Sequence, residues 1–128
     1  MDISAKSKSV STFINPSGFI EQHYIGVQTG KTVTSGVRAA AAAVKKMHGK
    51  KKPALMLVDL SQVTSTDLSS HIAAVKGMKE VPFEKIAIYG PLTLQILLNT
   101  LAIVADKYAK VHSFATRVEA VEWLRRGD

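Results

Sequence analysis

Two short apolar runs, PALMLVDL (53–60) and EKIAIYG (84–90), constrain this chain more than any other feature. Neither alternates apolar with polar residues, as a strand with one wet face would. Continuous apolar runs of this length are strands buried on both faces, and such strands belong to parallel sheets covered by helices. Helical patterns flank them. TGKTVTSGVRAAAAAVKKMHG (29–49) contains an alanine run of high helix propensity and ends on Gly49, a helix stop. Val37, Ala41, Val44 and His48 share one face at helical spacing. A second helix is expected after Thr66 or Asp67, which serve as caps, carrying Ile72, Val75 and Met78.

The flanking segments complete the order. VSTFINPSGFIEQHYIGVQ (10–28) reads as two strands around Asn15-Pro16-Ser17-Gly18, a type I turn with Pro fixing φ and Gly last. Pro91 opens a third helix to Tyr108, KVHSFA (110–115) is a short edge strand, and Thr116 to Glu119 is a capping box for a final helix. The pattern predicts one α/β domain over 1–128: a single-layer, mainly parallel sheet with an N-terminal β-hairpin and about four helices.

Composition narrows the function. The 128 residues hold no cysteine, which excludes disulfides and thiol chemistry and fits a reducing cytoplasm. The N-terminus lacks a signal-peptide core and no apolar run spans a bilayer, so the chain reads as soluble and cytoplasmic. The net charge of +7 owes much to KKMHGKKK (45–52), with Lys45, Lys46, Lys50, Lys51 and Lys52. Such a run suits a solvated helix end, and no aromatic or arginine interleaves it to stack on bases. Nucleic acid is therefore not the expected partner.

No catalytic constellation stands out. GVQTGKTVT (26–34) imitates a phosphate loop, but three residues separate Gly26 from Gly30 where four are needed. His23, His48, His71 and His112 lack metal-ligand spacing, and no G-x-S-x-G elbow occurs. His71 stands one helical turn from Asp67 and suits a local pair. No enzyme activity, cofactor or metal is expected. The polar stretch VDLSQVTSTDLSSH (58–71) draws attention instead. Asp59 is read as the end of a buried strand and Asp67 as the start of a helix, which puts Asp59, Ser61, Asp67, Ser69 and Ser70 in a loop at the carboxyl edge. Open α/β sheets bind their ligands at that edge.

LVDLSQVTSTDLSSHIAAV resembles the signature of STAS domains and SpoIIAA, the anti-sigma factor antagonists: an apolar strand, D-L-S-x-V, then D-S-S-G and a helix. Asp59, Leu60, Ser61, Val63, Asp67 and Ser69 match it. FEKIAIYG (83–90) and FATRVEAVEWL (114–124) look like the central strand and the close of the small stand-alone SpoIIAA-like proteins. Leu68 replaces one serine of the pattern and Ser70 the glycine, so a target serine, if it is the second, is Ser69. The resemblance implies a SpoIIAA/STAS-like fold and a regulatory module acting through protein contacts at Asp59, Ser61, Asp67, Ser69 and Ser70. The stand-alone branch has also been likened to lipid-binding CRAL-TRIO domains. The third helix supports that alternative independently. Besides a core stripe at Leu94, Leu97, Leu98, Leu101, Ala105 and Tyr108, it has a second apolar stripe at Leu92, Ile96 and Ile103. The surplus suits a homodimer contact or the wall of a pocket for a small apolar or lipid ligand.

Overall fold

The computed structural model describes residues 5–6, 9–48, 54–81, 83–91, 95, 99 and 110–126. Among them, six strands form one sheet in sequence order: β1 (Ala5–Lys6), β2 (Val10–Ile14), β3 (Ile20–Val27), β4 (Leu55–Ser65), β5 (Lys85–Tyr89) and β6 (Lys110–Phe114). The first three pair antiparallel, and β3 to β6 run parallel with β6 at the edge. The expected hairpin forms at Asn15 to Gly18. Gly18 N–H donates to the Asn15 carbonyl, and Gly18 adopts φ +87°, which a side chain would strain.

Three helices cover the sheet among the described residues: α1 (Gly30–His48), α2 (Leu68–Glu80) and α3 (Arg117–Arg125). Of the expected third helix only Gln95 and Asn99 are described, and Leu92, Ile96 and Ile103 lie outside the described residues. α1 and α2 pack against each other on one face, over Val10, Ile20, Tyr24, Met56, Val58 and Ile86. α3 lies on the other face, where Ala120 and Leu124 meet Phe19, Leu57, Ala87 and Tyr89. Leu57, Ile86 and Ala87 are fully enclosed, as the continuous apolar runs require.

The buried stripe of α1 is Gly36, Ala40, Val44 and Met47, with Val37 and Ala41 at its margin. Close packing sets this choice. A Cβ on Gly36 would overlap the Tyr24 hydroxyl, and one on Gly77 of α2 would overlap Val37. α2 turns Ser70, Gly77 and Met78 inward and leaves Ile72 exposed, so the expected stripe through Ile72 does not form. Asp67 is the cap of α2. Thr116 caps α3 by accepting from Glu119 N–H, but the Glu119 carboxylate takes the Thr116 hydroxyl rather than its amide, so the capping box is half formed.

Gly36→Ala should therefore lower stability despite alanine's better helix propensity, because overpacking costs about 1–3 kcal/mol. Thermal melting should show the loss, and the same change in a Tyr24→Phe background should cost less. Equal costs in the two backgrounds would show that the hydroxyl does not limit the approach of α1.

Candidate functional site

β4 does not end at Asp59, as its sequence suggests, but continues to Ser65. Asp59 marks instead the last residue of β4 that pairs with β5, opposite Tyr89. Beyond it β4 pairs with β3 alone, and the register slips twice, between His23 and Ile25 and between Gly26 and Val27. The slips put extra residues in β4, in the polar stretch between Leu60 and Ser65, and a bulge of this kind redirects side chains. The five residues expected in one loop consequently divide between the two faces of the sheet.

Asp59 faces α3, in register with His23 on β3 and Tyr89 on β5. His23 lies between two carboxylates, with Nε2 2.6 Å from Glu21 Oε2 and Nδ1 2.8 Å from Asp59 Oδ2. Arg117 of α3 donates to both oxygens of Glu21 at 2.8 and 3.1 Å and to the Tyr89 hydroxyl at 3.3 Å. Asn15, in the hairpin turn, donates to Glu21 Oε1 at 2.9 Å.

Burial of Glu21 works against its charge, but the hydrogen bonds from Arg117, Asn15 and His23 outweigh it and hold the carboxyl at about 2. Asp59 behaves alike. Burial opposes its charge, and bonds from the Ser61 hydroxyl and amide and from His23 prevail, leaving it below the usual carboxylate range. Ser61 is exposed, and its N–H donates to Asp59 at 2.8 Å. None of Glu21, His23, Tyr89 and Arg117 was singled out from sequence as a site residue. The available signal was Glu21-Gln22-His23, three polar residues inside a strand with apolar residues on both sides. A charge in such a strand requires a partner.

Asp67, Ser69 and Ser70 lie on the opposite face, where the N-termini of α1 and α2 meet. Asp67 Oδ1 accepts from Ser70 N–H at 2.8 Å and from the Ser69 hydroxyl at 2.7 Å. These bonds, Ser69 first, keep the exposed Asp67 carboxyl below its ordinary range. Ser69 Oγ also accepts from Gly30 N–H at 2.8 Å, so one exposed hydroxyl fastens the first turn of α2 to the first residue of α1. A Cβ at Gly30 would crowd Ser69, which makes glycine suited to this approach. Asp67 does not pair with His71 by hydrogen bond; His71 Nε2 lies 3.0 Å from Thr66 Oγ1 instead.

Behind this clasp is a chamber of about 120 Å³ between the sheet and the α1–α2 pair. Val33 and Val37 of α1, Met56 and Val58 of β4, Met78 of α2 and Ile88 of β5 form much of its wall. Ser70, Thr66 and His71 also face it. The structure thus brings Ser70 to an apolar chamber, Ser69 and Asp67 to the clasp beside it, and Asp59 and Ser61 to the far side of the sheet.

No family model and no curated protein matches the sequence. Solved structures do match the fold. One is an uncharacterised protein from the DUF3478 family with a SpoIIAA-like fold, from Shewanella loihica PV-4, at a TM-score of 0.65 and 15% identity, covering 94% of this chain and 98% of that one. This chain has a SpoIIAA-like fold. The likeness lies in the fold, and it bears out the resemblance drawn from Asp59 to Ser70 and from the closing helix at that level. No described helix is long and apolar enough to cross a membrane.

Arg117→Met leaves Glu21, whose side chain is 4% exposed, with weaker partners. The expected loss at neutral pH is about 1–3 kcal/mol, toward the lower end because solvent screens the half-exposed Arg117. A carboxyl depressed in the folded state stabilises above its ordinary pKa and stops doing so as pH falls through its folded value. The gap between wild type and variant, read by urea unfolding, should therefore be full above pH 4.5 and close toward about 2. A gap independent of pH would show that Arg117 acts by packing alone.

Proposed function

We propose that this protein is a non-enzymatic binding module that takes a small apolar group into the chamber between its sheet and the α1–α2 pair. The chamber itself supports this reading. At about 120 Å³ it approaches the size of engineered apolar cavities, about 150 Å³, that stay dry and admit benzene. It also reaches Thr66 and Ser70, beside the clasp at the carboxyl edge, where sheets of this type meet ligands. The polar cluster on the other face does not favour catalysis. His23 commits both ring nitrogens to carboxylates, and Arg117 commits its guanidinium to Glu21 and Tyr89.

Four methionines give the test its probes. Benzene added to protein labelled at the methionine methyl groups should shift Met56 and Met78, which line the chamber, and spare Met47, which is buried outside its wall. Ala74→Phe should abolish the shifts while leaving the fold intact by circular dichroism. Unmoved Met56 and Met78 signals in the wild-type protein would end this reading.

A second reading, regulation through protein contacts, draws on the outer side of the clasp. Leu68 and Ile72 are 73% and 59% exposed, one helical turn apart on α2, and flank Ser69. A phosphate on Ser69 would displace its bonds to Asp67 and Gly30 and set negative charge beside Asp67. Ser69→Asp should then lose a partner that the wild-type protein retains in a pull-down, and equal retention would count against the switch.

A further inference from the structure

The far edge of the sheet has features that neither the chamber nor the clasp explains. β6 is the last strand of the sheet, and among the described residues no strand pairs with its outer edge. Lys110, His112 and Phe114 alternate with Val111 and Ser113, so the first three share the face that carries α3. Trp123 of α3 meets two of them, with ring centroids 4.7 Å from His112 and 5.7 Å from Phe114. Trp123 therefore marks the side of α3 that looks toward the edge. Glu119, four residues before it, and Arg126, three after it, stand on that same side, and both are exposed. The other side of the helix looks toward the hairpin, where Arg117 reaches Glu21 and Arg125 the Ser17 hydroxyl.

We propose that β6 pairs antiparallel with β6 of a second copy, making one continuous sheet across a twofold axis at His112. An exposed strand edge is a template for another strand, and a symmetric pair must match itself. β6 does. The register that pairs all five residues sets Lys110 opposite Phe114 of the second copy, so the strand's lysine faces an aromatic ring and not its twin. The helices match as well. A twofold axis perpendicular to the sheet leaves both α3 helices on one face and antiparallel. Trp123 is level with His112, which places the axis near the midpoint between Glu119 and Arg126. Each Glu119 then comes level with Arg126 of the other copy. α3 packs chiefly on β5, so three strand intervals separate the two helices. That is about 14 Å, where directly packed helices lie about 8–10 Å apart. The gap has room for what projects into it: His112 and Trp123 from each copy, with Glu119 and Arg126 at the ends. A foreign peptide would pair with the backbone but would not return both charges, which favours the second copy.

Light scattering at high concentration should give the intact protein twice the 13.8 kDa mass of one chain. Glu119→Arg sets arginine against arginine at both ends of the seam and should weaken dimerisation about tenfold, surface ion pairs being individually small. Glu119→Arg combined with Arg126→Glu restores opposite charges and should recover most of the loss, which a merely structural role of either residue would not give. Arg126→Glu alone spares the bond from the Thr116 hydroxyl to the Glu119 carboxylate. It should behave like Glu119→Arg, and it replaces that variant if the latter does not fold. Amide exchange locates the contact. On dilution to the monomer, protection should fall at Lys110 to Phe114 and persist at Lys85 to Tyr89. A monomeric mass, single reversals without effect, a double variant no tighter than the single, or β6 protection independent of concentration would overturn the proposal. None of these outcomes bears on the chamber.

Discussion

A carboxylate enclosed between a sheet and a helix must be answered from several directions, and Glu21 is answered from three. Asn15 reaches it from the hairpin turn, Arg117 from α3, and His23 from its own strand, with Asp59 of β4 behind the imidazole. The charge therefore ties together parts of the chain almost a hundred positions apart. Without those partners burial would disfavour its charge, and the final helix would rest on Ala120 and Leu124 with their apolar neighbours and on the bond from Lys85 Nζ to the Trp123 carbonyl. The polar cluster is best understood as the fastening of α3 to the sheet.

The same strands serve a different purpose on their other side. Glu21 and His23 alternate with Gln22 and Tyr24, and Leu57 and Asp59 with Met56 and Val58, so each strand gives charge to one face and mostly apolar surface to the other. Tyr24 shows how tightly the second face is filled under α1, where its hydroxyl lies against Gly36 and its burial pushes the phenol's pKa up. The chamber lies nearby, between the helices and β4–β5, and reaches Ser70, next to the Ser69 that bonds α2 to α1.

Much of the fold was legible because its signals are local. Apolar runs at 53–60 and 84–90, the turn at Asn15 to Gly18, the cap at Asp67 and the alanine-rich helix each depend on a few neighbouring residues. The candidate site was legible only in part. Asp67, Ser69 and Ser70 form the expected cap, but Asp59 and Ser61 were assigned to the same loop because a change from apolar to polar residues resembles the end of a strand. It was instead a strand losing one of its two neighbours while keeping the other.

Sequence alone determined the element types, their order and hence the parallel α/β class, since periodicity and capping act within a turn or a strand's length. Tertiary structure decided which face each side chain serves. The regular register of β3 on β4 sets Asp59 beside His23, and the slips come only beyond that pair. Glu21 and Arg117, joined by two hydrogen bonds, share no local pattern because pairing across 96 positions arises only when helix and sheet dock.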